Sequence, residues 1–190
     1  MRIGVLALQG AFREHEKRLA ELGADYGEIR QASDMDIPWD GFILPGGEST
    51  VQGKLLRELH LLAPLKKAIQ TGTPVLATCA GMILLASRLL DDDTVHFGTL
   101  PVTVRRNAYG RQSGSFRCQG EVAGLGTLPM TFIRAPYIES VSPDVRVLAS
   151  VQDHIVGVQY QRQIALSFHP ELDSDPTIHR CFLDMIASSV

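Results

Sequence analysis

In the segment Pro74-Val75-Leu76-Ala77-Thr78-Cys79-Ala80-Gly81, an apolar run passes into a helical pattern with no linker between them. A chain that turns from strand to helix within one residue does so at the carboxyl edge of a sheet. Small-x-Cys-x-Gly at that step has the geometry of a nucleophile elbow, which exposes one side chain and aims backbone N–H groups at whatever it attacks. The small residues Ala77 and Gly81 let strand and helix approach closely around the turn. The fold must therefore contain a strand feeding a helix directly, and Cys79 is its candidate nucleophile.

The rest of the chain supports such a sheet. Ile3–Leu8 reads as a buried strand, Phe12–Leu22 as a helix closed by Gly23, and Gly41–Leu44 as a strand stopped by Pro45-Gly46-Gly47. Ser49 is positioned to cap a helix running through about Leu61, Pro64–Thr71 extends helical structure to Gly72, and Met82–Leu89 reads as the helix after the elbow. From Val95 to Leu166 short strands separated by turn residues dominate: Val102–Val104, Met130–Ile133, Val145–Leu148, Ile155–Val158 and Ile164–Phe168. Pro176–Ala187 closes the sequence as a helix with Asp175 as its cap. Strand–helix alternation predicts a mainly parallel sheet covered on both faces, and the later strands predict antiparallel additions. The expectation is one three-layer α/β domain over residues 1–190 with a mixed sheet, since no repeat, low-complexity tract or linker interrupts it.

Bulk properties remove several function classes. A net charge of −3 offers no general attraction to nucleic acid or to an acidic membrane. The three cysteines, Cys79, Cys118 and Cys181, form no Cys-x-x-Cys, so neither a disulfide framework nor a zinc knuckle is suggested, and a reducing cytoplasmic setting fits. Cys118 and Cys181 read as small buried hydrophobes. The apolar start Ile3–Leu8 is far shorter than a membrane span.

A thiol of ordinary pKa about 8.5 needs an activating neighbour to be a strong nucleophile at neutral pH. Of the six histidines, His15, His60 and His179 fall within helical stretches and read as solvated or structural. His96 and His154 lie in turn-like contexts with nothing to orient them. His169 ends the apolar run Ile164–Phe168 and precedes Pro170-Glu171. In an extended segment, Glu171 would project on the same side as His169, with Cα atoms roughly 6.5–7 Å apart. One imidazole nitrogen could then take the carboxylate while the other faces Cys79, which is the logic of nucleophile, base and orienting acid. His-Pro-Glu alone would equally suit a strand end and a surface turn. Pro45-Gly46-Gly47-Glu48-Ser49 follows a second strand and opens a helix, so its N–H groups can face a ligand. It fails the phosphate-loop pattern, because Leu55 stands where Ser or Thr is required. Beside a cysteine elbow, the N–H groups of Gly47 and Ala80 form a candidate oxyanion hole.

Elbow, glycine loop and His-Pro-Glu in this order resemble the class I, triad-type glutamine amidotransferases, which have a flavodoxin-like fold. Gly4–His15, Pro45–Thr50, Thr78–Gly81, Arg106–Gln112, Phe132–Pro136 and Ser167–Leu172 are similar to the glutaminase subunits of pyridoxal 5′-phosphate synthases. These blocks span nearly the whole chain, with Gln9-Gly10, Arg-Asn-x-x-Gly-Arg-Gln and Ile-Arg-Ala-Pro as the more specific signatures. One departure is Ala77, where the family has glycine, and a slight adjustment of the elbow is expected. The resemblance implies hydrolysis of L-glutamine to glutamate and ammonia without a cofactor or metal. It implies delivery of ammonia to a synthase subunit that builds pyridoxal 5′-phosphate from ribose 5-phosphate and glyceraldehyde 3-phosphate, in a large hetero-oligomer. It also implies glutamine contacts at Gly46, Gly47, Glu48, Arg106, Ile133 and Arg134. A planar guanidinium suits the substrate carboxylate, while Arg105 and Arg111 read as solvated. Gln9-Gly10 falls at the end of the first strand, where the family meets its synthase, so activity is expected to depend on the partner. The alternatives are a triad amidotransferase serving another synthase, a free-standing γ-glutamyl hydrolase, and a non-enzymatic redox sensor or chaperone.

Overall fold

The computed structural model describes residues 1–90, 92–106 and 115–188. Strand and helix alternate first, through β1 (Arg2–Leu6), α1 (Phe12–Glu21), β2 (Asp25–Ile29), β3 (Gly41–Leu44), α2 (Ser49–Glu58), α3 (Leu62–Gln70), β4 (Val75–Thr78) and α4 (Ala80–Leu85). A strand-rich half follows: β5 (Ala86–Leu89), β6 (Leu100–Arg105), β7 (Ser115–Val122), β8 (Gly126–Ile133), β9 (Tyr137–Val141), β10 (Arg146–Val151), β11 (His154–Tyr160) and β12 (Gln163–Leu166). The last helix is α5 (Thr177–Ala187).

Among the described residues one large sheet runs β2-β1-β3-β4-β12-β11-β9-β6-β5, with β10 also paired to β11, and β7 and β8 form a separate hairpin. The stretch from β2 to β12 is parallel. In chain order it reads 2-1-3-4-5, the doubly wound flavodoxin-like order. Beyond β12 the pairing turns antiparallel through β11, β9 and β6, and β5 returns parallel to β6.

The sheet has two covered faces because the pleat sends successive side chains to opposite sides. On β3, Phe42 and Leu44 pack with Leu56, Leu65 and Ile69 of α2 and α3, while Ile43 packs on the other side with Leu19 of α1 and Phe182 and Ile186 of α5. On β4, Val75 and Ala77 face the first cluster and Leu76 the second. Every residue of β3, β4 and β12 is buried. That explains why these strands read as unbroken apolar runs rather than as alternating ones. The three-layer mixed sheet expected from the sequence is the observed fold, and no described helix is long and apolar enough to cross a membrane.

The differences are local. Helix α2 starts at Ser49 without a side-chain cap and ends at Glu58, because His60 enters the left-handed region at φ 57° and Leu62 opens a separate helix. The helix expected over Met82–Leu89 begins earlier and stops at Leu85. Ala86–Leu89 instead pairs with β6, where ladder bonds and the burial of Ala86 and Leu89 outweigh one more helical turn. Strands β2, β5, β7 and β9 escaped the sequence reading, since their polar positions hide the apolar pattern. Helix α5 begins at Thr177 with Pro176 rather than Asp175 in the N-cap position, and Asp175 Oδ1 accepts from the Thr177 N–H at 2.8 Å from one residue further out.

Candidate active site

The carboxyl ends of β1, β3, β4 and β12 lie side by side, and the segments leaving them line a cavity of about 540 Å³. Such a crevice is where open α/β sheets place ligands. Gln9 and Gly10 enter from β1, Gly46, Gly47 and Glu48 from β3, Cys79 from β4, and His169 from beyond β12. Ile133 and Arg134 from the end of β8, and Arg106 from the end of β6, complete the wall.

Cys79 occupies the elbow with φ 46° and ψ −101°, a backbone conformation that side-chain-bearing residues rarely adopt. Its N–H donates to the Leu166 carbonyl at 2.7 Å, which ties the turn to β12. Gly81 is required for space: a Cβ there would collide with the Leu44 carbonyl of β3. Ala77 is fully buried between Leu44 and Ala165, so its methyl group is absorbed into the core. The Cys79 Sγ points toward the Ile133 carbonyl oxygen at 4.0 Å.

The His169 Nδ1 lies 2.7 Å from Glu171 Oε1, and both residues are buried. The expected pairing is present, but its route differs. His169 has φ −110° and ψ 81°, and Pro170–Leu172 form a 3₁₀ turn rather than an extended segment. Strand β12 has already ended at Leu166, and Pro170 has no N–H to continue a ladder, so the carboxylate folds back onto the ring. The His169 N–H bonds the Thr131 carbonyl at 2.8 Å and the Thr131 hydroxyl donates to Asp173 Oδ1 at 2.7 Å, fixing both ends of this turn to β8. Burial pulls the His169 pKa down, but hydrogen bonding to Cys79 and to Glu171, and their charges, push it up to about 10. With Nδ1 occupied by Glu171, Nε2 is the nitrogen open to the thiol.

Gly46 and Gly47 are needed for room, not for left-handed backbone, since neither has a positive φ. A Cβ at Gly46 would run into the His169 ring, and one at Gly47 into the Gln9 side chain. The loop is held on several sides: Gly46 N–H donates to Thr78 Oγ1 at 3.0 Å, Ala11 N–H to the Gly46 carbonyl at 3.0 Å, and Glu48 N–H to Gln9 Oε1 at 2.7 Å. Gln52, buried on α2, ties Gln9 to this loop through its Nε2, which reaches the Gln9 carbonyl at 2.8 Å and the Pro45 carbonyl at 3.2 Å. Ala80 opens α4, so its N–H is one of the donors a helix start leaves unpaired. The two candidate arginines are both engaged. Arg134 meets Glu48 at 3.4 Å across the rim, and Arg106 meets Asp92 at 3.1 Å and Thr50 Oγ1 at 3.4 Å. Arg105 pairs with Glu139 at 3.3 Å. Residues 107–112 of the Arg106–Gln112 stretch, Arg111 included, lie outside the described residues.

Several residues go beyond the sequence reading or differ from it. Of the two roles left open for His15 and His179, solvated or structural, the structure shows the structural one, with both rings fully buried behind His169 and Glu171. The His15 Nδ1 lies 2.9 Å from His179 Nε2, and the His15 Nε2 lies 3.2 Å from Thr78 Oγ1 and 3.4 Å from Glu171 Oε2. A signal existed: His15 falls on the same helix face as Phe12, Leu19 and Leu22, and His179 on that of Phe182 and Ile186. His96 is buried against Gly53 and lies 3.3 Å from Arg57, so it is oriented after all. Cys118 and Cys181 are half-buried rather than fully buried.

Comparison with known proteins agrees with this geometry. The chain matches the SNO glutamine amidotransferase family over residues 5–188. It is 60% identical over 187 residues to the pyridoxal 5′-phosphate synthase subunit PdxT of Desulfitobacterium hafniense (strain DSM 10664 / DCB-2), covering 98% of this chain and 94% of that protein. It is 53% identical to the protein of the same name from Methanocorpusculum labreanum, covering all of both chains. A solved glutamine amidotransferase superimposes with a TM-score of 0.92 at 42% identity, over 97% of this chain and 98% of the other. A further glutamine amidotransferase structure, from Thermotoga maritima, shares the fold at 14% identity, with 100% and 85% coverage and a TM-score of 0.65. An elbow cysteine facing a glycine loop and a histidine–glutamate pair is thus found in a chain that belongs to the SNO glutamine amidotransferase family.

Proposed function

We propose that this chain is the glutaminase subunit of a pyridoxal 5′-phosphate synthase, with Cys79, His169 and Glu171 as its catalytic triad. The observation that carries the reading is the His169–Glu171 pair at 2.7 Å lining one cavity with the elbow cysteine. Glutamine enters this cavity, held at Gly46, Gly47, Glu48, Arg106, Ile133 and Arg134, with a guanidinium on its α-carboxylate. His169 takes the Cys79 proton, and its high proton affinity keeps that proton on the imidazole beside Glu171. The sulfur bonds to the side-chain amide carbon, and the resulting oxyanion is held by the N–H groups of Gly47 and Ala80. His169 then protonates the nitrogen, the C–N bond breaks, and ammonia leaves a glutamyl thioester. Water attacks that thioester as His169 takes its proton. The C–S bond breaks, glutamate departs and the proton returns to Cys79.

The ammonia passes to a synthase subunit that uses ribose 5-phosphate and glyceraldehyde 3-phosphate, in a cytoplasmic hetero-oligomer. Residues 1–190 act as one amidotransferase domain. The test is ammonia release from glutamine with and without the candidate synthase, for wild type and Cys79→Ala, together with covalent labelling by a glutamine-mimicking electrophile. The expected result is partner-stimulated release that falls by about 10⁴-fold or more in Cys79→Ala, with wild type labelled at Cys79. Near-normal turnover in that variant, or stimulation only by the synthase of another pathway, would overturn the reading.

A further inference from the structure

Behind the triad, away from the cavity, lies a sealed polar cluster that the proposed chemistry does not use: Thr78, His15 and His179. Its geometry admits two proton arrangements. The His15–His179 contact at 2.9 Å needs one N–H and one lone pair. If His15 Nδ1 donates, His15 Nε2 presents a lone pair 3.4 Å from the Glu171 carboxylate, and the Thr78 hydroxyl at 3.2 Å can meet it only by giving up its bond to Glu171 Oε1. In that arrangement His179 carries an Nδ1–H that is buried with no partner among the described residues. A buried unpaired donor and a lone pair facing an anion are both unfavourable.

If His179 Nε2 donates instead, both problems vanish. His15 Nδ1 accepts, and His15 Nε2–H hydrogen-bonds Thr78 Oγ1 at 3.2 Å, while Glu171 Oε2, which has no hydrogen-bond partner among the described residues, lies 3.4 Å away at the positive end of the same N–H dipole. His179 Nδ1 keeps only a lone pair unsatisfied. Thr78 then uses its full capacity. Its oxygen accepts from Gly46 N–H and from His15, and its hydroxyl proton goes to Glu171 Oε1 at 3.4 Å. We propose that His15, held in its Nε2–H tautomer by His179, is a positioning residue that orients both Glu171 and the Gly46–Gly47 loop through Thr78, with its N–H dipole beside the Glu171 carboxylate. The inference rests on the triad reading above.

The charged surroundings favour neutral rings. His15 on α1 faces His179 on α5 and His169 and Glu171 beyond β12; burial first, then the charges of His179 and His169, hold its pKa well below the ordinary value. His179 is depressed to about 4 by burial and by Arg18. A neutral imidazole with one fixed proton is a donor of constant direction, as an orienting residue requires.

Nitrogen-15 NMR of the wild-type chain at pH 7, with the His15 signals assigned by their loss in His15→Gln, should find His15 protonated at Nε2 and bare at Nδ1. Protonation at Nδ1, or at both nitrogens, would overturn the proposal. In glutamine hydrolysis with the synthase partner present, His15→Leu should lower kcat by about 10- to 100-fold with KM unchanged. His15→Gln, which restores an N–H near the Nε2 position, should recover most of that loss. An equal loss in both variants, or none in either, contradicts it. If neither variant folds, the wild-type tautomer, assigned by through-bond correlation of the ring nitrogens to the His15 backbone, decides alone. A wild type inactive with its synthase would count against the triad reading and leave the tautomer result standing.

Discussion

The imidazole of His169 and the imidazoles of His15 and His179 lie on opposite sides of one carboxylate, and burial acts on them in the same direction with opposite outcomes. His169 borders the cavity and is pressed by Cys79 and Glu171, so its pKa rises to about 10 despite burial. His15 and His179 are sealed beneath the helices, and there burial wins. The lesson is that a buried histidine is set by its partners: close hydrogen bonds from groups that can bear negative charge overcome desolvation, and another imidazole does not. The front ring can therefore carry a proton through the reaction while the rear rings serve as fixed dipoles.

The sharpest way to break this contrast is to remove the charge between the two sides. Glu171→Gln should lower glutamine hydrolysis by about 10³-fold, because the orienting acid of a triad sets both tautomer and imidazolium stability. It should also bring the His169 pKa down toward its ordinary value, read by NMR titration. A variant with a His169 pKa still near 10 would show that Cys79 alone raises it.

Next in size is Gly46→Ala. Because a Cβ there would run into the His169 ring, hydrolysis should fall by about 10²-fold through displacement of base and oxyanion loop together. Rates within a factor of a few of wild type would mean that the front side tolerates movement, unlike the packed rear.

A pH series of urea melts tests the opposed shifts directly. A group bound more tightly to its proton in the folded state stabilises at low pH. The His169 contribution is therefore complete below about 6.5 and lost as pH rises through about 10. His179 has the reverse sign: its depressed pKa costs stability as pH falls from about 6.5 toward about 4. For these two groups stability is greatest near pH 6.5, and replacing His179 with Phe should lessen the acid slope only, the depressed His15 supplying the remainder. A maximum well away from that value, or loss of the alkaline slope in the same variant, would break the assignment.

The smallest effect belongs to the rim. Arg134 is largely exposed and meets Glu48 at 3.4 Å, so Arg134→Ala should change stability by less than about 1 kcal/mol. Its signature should be a raised KM for glutamine with kcat little changed, checked by steady-state kinetics.

The proposed triad was legible because each member lies just beyond a buried strand and carries a local signature. Cys79 lies between small residues, and His169 and Glu171 flank a proline. The glycine loop was legible as a loop, while the reason for its glycines is tertiary: Gly46 and Gly47 serve close approach by His169 and Gln9. His15 and His179 were hidden because they are 164 residues apart and meet only when α1 and α5 pack on the same face of the sheet. Strand β5 was hidden for a similar reason, since Ala86–Leu89 becomes a strand only by pairing with β6.

By itself the sequence determined the elements that local physics dictates: buried parallel strands as unbroken apolar runs, helices with glycine stops, and an elbow that sets its cysteine at the edge of a cavity. The tertiary structure alone decided which side chains from distant segments share a sealed space. It turned His-Pro-Glu from a presumed extended pair into a 3₁₀ turn, and it gave His169 a different proton affinity from the rings behind it. The reason is that desolvation and hydrogen bonding depend on what surrounds a group in space, and for His15, Thr78 and Glu171 those neighbours come from five separate segments of the chain.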